Sequence, residues 1–383
     1  LLNTIPDSPP LKQLYMAFSF ISMWNYKQAT KWLEDYLNNS QVTDYHRLIG
    51  QVNLAACLVE QNKIKKANQL LVTILKTSND MDYTRIYANC LELKAQLNHQ
   101  RNPSLALKFL SKAEAFLPAK DSIDGFFISK WKNLALCYQN DDLKFRTKKI
   151  QQIVHWAQEF GHYESLRQLD LHQIKLLGKT ELVSKLYYGT PFPNYKTSLE
   201  YEFADLIETK YFYQLGPKGK YQLRPNQYSF LTQGLVGQLF SCLTSDFYRP
   251  FSTIKLFNSL FSNEYYNPAT SKNKIYQLVN RLNLKFASHE IPLTVVCEQG
   301  LYSLKSDKGC QIDVSQNVSS SKYEKIINLI EGKFKNKTFT LKQASNELNI
   351  PERSLSRYLK TILEKKKLVT LGKGRSSKYK IPE

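Results

Sequence analysis

No apolar run in this 383-residue chain comes near the ~20 residues a membrane-spanning helix needs; the longest, such as 70–75, is a third of that. No charged-then-apolar leader opens the sequence, so a secretory signal is not expected. None of the six cysteines forms a C-x-x-C pair, which argues against a zinc knuckle or a redox dithiol. Cys57, Cys90, Cys137, Cys242, Cys297 and Cys310 sit mostly in apolar segments and read as buried free thiols of a reducing cytoplasm. The six histidines give no i,i+4 pair and no H-E-x-x-H; His155, His162 and His172 read as packing or partly exposed residues. The glycine-rich stretches 216–219 and 372–377 have a phosphate-loop flavour but lack G-x-x-x-x-G-K-[ST]. No catalytic residue, metal site or cofactor is therefore expected, and the protein is read as non-enzymatic and cytoplasmic. With 13% aromatics and only 14 Gly and 14 Pro, collagen-like and wholly disordered chains are also excluded.

What is abundant is positive charge. Lys and Arg number 53 against 33 Asp and Glu, a net +20. The excess is uneven: residues 321–383 carry +10 and 218–310 carry +6, while the first 217 residues carry only +5. A basic half joined to a nearly balanced half suggests a polyanion-binding region attached to a module with another job.

The balanced half is periodic. Segments 26–37, 64–75 and 104–113 align on Ala29, Ala67 and Ala106, a period of 38 and then 39 residues. Each follows another apolar-periodic segment (14–24, 48–59, 86–97) across a short turn, and Pro103 fits the first turn of a helix. Two looser pairs follow, 126–138 with 145–160 and 166–177 with 182–188. A small alanine lets two helices approach while Leu, Trp and Phe fill the next groove. The pattern resembles the tetratricopeptide-repeat family, although the period exceeds the usual 34 and the full aromatic consensus is absent. The resemblance implies a concave face for a protein partner, a peptide or self-association, including a homodimer.

At 189–194 two prolines and a glycine break the helical pattern, and the Tyr- and Phe-rich stretch up to 225 reads as short strands. An apolar helix is expected over 228–243, then one capped by Ser252, then one opening at Ser271. In this last helix Ile275, Val279, Leu282 and Phe286 form one apolar stripe. Lys272, Asn273, Lys274, Gln277, Asn280, Arg281 and Lys285 supply the other face, and long donors on one side suit phosphates and major-groove acceptors. Residues 292–304 read as two strands around a Glu-Gln-Gly turn. Helices followed by this hairpin resemble the DNA-binding domain of OmpR-type response regulators, whose I-x-R-L-R phrase appears as 279–283 with Asn283 in place of the second Arg. No receiver domain accompanies it, so control by aspartyl phosphorylation is not expected.

After a polar linker, residues 322–383 give a second such module. Thr340 is expected to cap a helix over 341–348, and 352–363 is a third helix anchored by Leu355, Leu359 and Leu363. The phrase 348–359 resembles the helix-turn-helix of bacterial MarR-like regulators, with Asn349 in place of the turn glycine. The resemblance implies base contacts from Arg353, Ser354, Ser356, Arg357 and Lys360, and wing contacts from Lys373, Arg375 and Lys378.

The expected architecture is mainly α with small β wings: a helical-repeat solenoid over 1–188, an OmpR-type winged helix over 189–310, a linker over 311–321 and a MarR-like winged helix over 322–383. The function expected is a bacterial transcriptional regulator on double-stranded DNA. The alternative is a non-catalytic interaction scaffold resembling PCI-type subunits, in which winged helices make subunit contacts.

Overall fold

The computed structural model describes residues 10–116, 122–315, 330, 333–334, 337–348, 352–364, 368–372 and 377–381. The chain is mainly helical with small three-stranded sheets, and it divides into two compact units, 1–313 and 314–383. Among the described residues no helix is long and apolar enough to cross a membrane.

Among the described residues the first unit opens with ten helices: α1 (Leu11–Ser22), α2 (Tyr26–Asn38), α3 (Asp44–Glu60), α4 (Ile64–Asp80), α5 (Thr84–Asn98), α6 (Pro103–Phe116), α7 (Ile123–Gln139), α8 (Leu143–Glu159), α9 (Tyr163–Leu177) and α10 (Leu182–Tyr188). Helices α3, α5, α7 and α9 begin about 40 residues apart. Ala29, Ala67 and Ala106 are fully buried, as are Leu33, Leu71 and Leu110 four residues on, so each of these helices sets a small and a large residue on one face. Polar side chains open several helices: Asn25 accepts from the Gln28 amide at 3.2 Å, Asn102 from Leu105 at 3.1 Å and Ser122 from Gly125 at 3.0 Å. A single device closes four of them. Trp24, Asn62, Asp82 and Gly161 take positive φ, and the next amide reaches back five residues to a helix carbonyl, as from Lys63 to Leu58 at 2.9 Å. Trp24 is the exception in chemistry, since a bulky residue at φ 57° is strained and needs outside support.

The segment from Gly189 to Tyr221 is not all strand. Pro193, at the first turn, starts α11 (Pro193–Phe203), which buries Tyr195 and Leu199. Strands β1 (Phe212–Leu215) and β2 (Tyr221–Leu223) follow. The helix expected over 228–243 is split into α12 (Ser229–Thr232) and α13 (Gly234–Leu243), because the chain turns at Gly234, whose φ is 64°. Then come β3 (Phe251–Ser252), α14 (Thr253–Leu260), α15 (Ser271–Ser288), β4 (Thr294–Glu298), β5 (Leu301–Lys305) and β6 (Cys310–Asp313). The last strand takes in 311–313, where the sequence suggested the start of a linker. It runs between β1, antiparallel, and β2, parallel. The stretch 216–219 packs backbone against backbone here: a Cβ on Gly216 would lie 1.9 Å from the Ser306 carbonyl oxygen.

A network of buried charges fastens the helical half to this second half. Arg167 and Asp246 have fully buried side chains joined at 2.9 Å, and Arg167 also donates to Thr190 at 3.1 Å and pairs with Glu164. Nearby, Asp170 accepts from the Tyr248 hydroxyl and from Lys185, both at 2.6 Å.

The second unit contains β7 (Phe339–Thr340), α16 (Leu341–Leu348), α17 (Glu352–Glu364), β8 (Val369–Leu371) and β9 (Lys378–Lys380). Its core holds Ile330, Phe334, Phe339, Leu355, Leu359, Ile362 and Leu368.

Candidate nucleic-acid interface

Helix α15 is an 18-residue rod whose buried face is Ile275, Leu278, Val279, Leu282 and Phe286. The stripe read from sequence is therefore the core face, widened by Leu278. Ser271 does not cap it; this buried hydroxyl accepts from the Asn267 amide at 2.9 Å, and Thr270 takes the cap position. Lys272, Asn273, Lys274, Gln277, Asn280, Arg281 and Lys285 are all exposed. Two of the cations are engaged. Lys274 pairs with Glu264 and lies 5.4 Å from the Phe261 ring, and Lys285 lies 6.0 Å from the Phe230 ring. Lys272 and Arg281 carry no ion pair among the described residues and present their charge to solvent.

The hairpin beside α15 is held in register by residues the sequence marked for other reasons. Asn283, standing where the resemblance calls for an arginine, donates to the Val295 carbonyl at 3.1 Å and accepts from the Val295 amide at 2.8 Å. This side chain clamps β4 to the helix rather than reaching outward. At the tip, Gln299 and Gly300 both take positive φ between the paired residues Glu298 and Leu301. That is a two-residue turn matched to strand twist. Ser252 caps α14 as expected, accepting from the Lys255 amide at 3.3 Å.

Sequence reasoning missed two residues on the outer face of α15. Tyr276 is 61% and Leu284 70% exposed, and both lie among the donors. Their signal was available, because an apolar residue off the buried stripe has to face solvent or a partner. The thiol expectation needs correction at two positions: Cys297, on an edge strand, is exposed and Cys242 is half-buried.

In the second unit Ser356 and Lys360 on α17 and Lys378 on β9 are exposed, opposite buried Leu355 and Leu359. Arg353, Ser354 and Arg357 lie on α17, with side chains outside the described set; Lys373 and Arg375 lie outside the described residues. Thr340 and Gln343 cap each other: the Gln343 amide donates to the threonine hydroxyl at 3.2 Å, and the Thr340 amide to the glutamine carbonyl at 2.9 Å.

An exposed rod of amide, guanidinium and ammonium donors, stiffened by a hairpin, matches the acceptor-rich floor and phosphate rims of a nucleic-acid groove. No family model and no curated protein matches the chain.

Proposed function

We propose that the protein is a cytoplasmic, bacterial transcriptional regulator that binds duplex DNA through two winged helices, with the tetratricopeptide-like helices supplying dimerisation or partner binding. The carrying observation is α15, whose outward face is dominated by hydrogen-bond donors over a continuous buried stripe. The same order of strand, helix, helix and hairpin in the more basic second unit supports it. Helix α15 and helix α17 act as the recognition helices, and Lys373, Arg375 and Lys378 as wing contacts.

Fluorescence anisotropy of the full chain on labelled duplex tests the reading. Each neutralised phosphate lowers the slope of log affinity against log salt by about 0.9, so affinity falls steeply as salt rises. Arg357→Ala relaxes sequence choice, whereas Arg281→Ala weakens binding to specific and random duplexes alike. Affinity that ignores salt overturns the reading. It would favour the scaffold, for which exposed Tyr276 and Leu284 supply an apolar contact face.

A further inference from the structure

We propose that the cavity inside the helical half is an effector site for an organic primary ammonium ligand with an apolar body, and that its occupancy is relayed through Glu164, Arg167 and Asp246 to the segment leading into β3. The relay to DNA rests on the function proposed above; the ligand site does not.

The cavity measures about 470 Å³ and draws its walls from α1, α2, α3, α5, α7 and α9. That volume suits a small organic molecule. Trp24, Tyr26, Phe127 and Trp131 give it aromatic walls, and Glu60 and Glu92 give it charge. The balance of charge selects the ligand. Asp124 is answered by Arg85 at 3.0 Å, and Glu164 by Arg167. Glu92 accepts from the Gln96 amide at 3.0 Å, but among the described residues neither it nor Glu60 has a cation within salt-bridge reach. The remaining cation, Lys130, is 2% exposed and already engaged with neutral groups: Ser165 at 3.1 Å, Gln168 at 2.7 Å and the Trp131 ring at 4.7 Å. Burial lowers the pKa of His162, which favours its neutral form. Two carboxylates therefore share one lysine. Glu60 is exposed and Glu92 half-buried; burial pushes the Glu92 carboxyl up to about 7 and Lys130 down to about 8, and a cation entering beside Glu92 would favour its ionised form.

A second observation points the same way. Glu164 is part of the wall, and its Oε1 is buried with no hydrogen-bond partner among the described residues. An ammonium brings three donors for such oxygens, and aromatic faces hold its charge. An anion would meet the two carboxylates. The neighbouring oxygen of Glu164, Oε2, takes the Trp24 indole N–H at 3.0 Å and the Arg167 guanidinium. Arg167 in turn holds Asp246, whose Oδ1 accepts from the amides of Tyr248 at 3.1 Å and Arg249 at 3.2 Å, just before β3. A cation at Oε1 thus competes for the carboxylate that positions this arginine.

Titration calorimetry on the full chain uses 2-phenylethylammonium as the probe, with 2-phenylethanol and 3-phenylpropionate as uncharged and anionic controls. The amine is expected to bind at least about tenfold more tightly than either control. The double variant Glu60→Gln, Glu92→Gln, shown folded by circular dichroism, loses about tenfold or more, equivalent to 1.4 kcal/mol. No heat from the amine, equal binding of the three, or full affinity in the variant overturns the site. In the second arm, saturating amine shifts the duplex-binding midpoint about threefold or more in the wild type and not in Glu164→Gln. An unmoved midpoint in wild type overturns the relay. Absence of duplex binding with or without amine overturns the DNA reading, while the calorimetry still decides the site.

Discussion

The two units build the same sequence of elements by different means. In the first, β3, α14, α15, β4 and β5 give a sheet ordered β3-β5-β4; in the second, β7, α16, α17, β8 and β9 give β7-β9-β8. Both centre the last strand, and both pair it antiparallel with its two neighbours. The connections differ. Residues 261–270 join the two helices in the first unit, and its hairpin turns through 299–300; in the second unit the helices are three residues apart in sequence and the strands six. Support differs more. Helix α15 belongs to a large unit and stacks Phe286 against Phe240 of α13, with ring centroids 6.1 Å apart. Helix α17 depends on a small core in which Phe339 packs against Phe334 at 4.4 Å and Tyr379 at 5.7 Å. Element order thus follows from a short strand feeding a helix pair, whereas rigidity depends on what lies beneath.

All four tryptophans, Trp24, Trp32, Trp131 and Trp156, lie in the first unit, so indole fluorescence follows that unit while far-ultraviolet circular dichroism follows both. The largest separation of the two is expected from Arg167→Ala. It strands Asp246 without its cation and costs the first unit about 3–5 kcal/mol. Urea titration should move the fluorescence midpoint and leave the second unit's transition in place; movement of both together would merge the units. Leu282→Ala and Leu359→Ala each cost about 2–5 kcal/mol, because both side chains are fully buried, but each acts on its own unit. Leu282→Ala should move both probes, whereas Leu359→Ala should move circular dichroism and leave fluorescence in place.

Acid should distinguish the units as well, since every histidine is in the first. Burial pushes His99 down to about 4 from an ordinary 6.5. The unfolded chain takes up its proton first, so this contribution is full above pH 6.5 and is lost as pH falls toward 4. Over that window the wild type should lose about 2–3 kcal/mol relative to His99→Gln, read as converging urea midpoints. A constant gap would mean that the ring charges freely in the folded state. The smallest effect is Asn283→Ala, about 1–3 kcal/mol from two lost backbone bonds at Val295. The same change should lower duplex affinity with little change in salt slope, because Asn283 positions the hairpin and carries no charge.

Local features were legible in the sequence, and distant ones were not. The stripe of Ile275, Val279, Leu282 and Phe286, the caps at Ser252 and Thr340, and the turn at Gln299 and Gly300 each lie within a few residues and obey helix or hairpin geometry. Helix α11 was missed because its Tyr and Phe content outweighed the start signal of Pro193. Strand β6 pairs with partners some 90 residues upstream, and Arg167 meets Asp246 across 79 residues; no local period encodes either. The cavity was hidden for a related reason. Glu60, Glu92 and Lys130 come from three helices, and no local period marks them as lining one cavity.

Trp24 has a consequence of its own. By reaching from the turn between α1 and α2 to Glu164, and to Tyr195 with ring centroids 4.6 Å apart, it joins the beginning of the helical array to its end. An open stack of hairpins tolerates the loss of a terminal pair, because each pair answers only to its neighbours. Here the array is clasped upon itself. Removing α1 and α2 would unlatch α9 and α11 at the far end, and the ten helices should melt as a circuit rather than fray as a row.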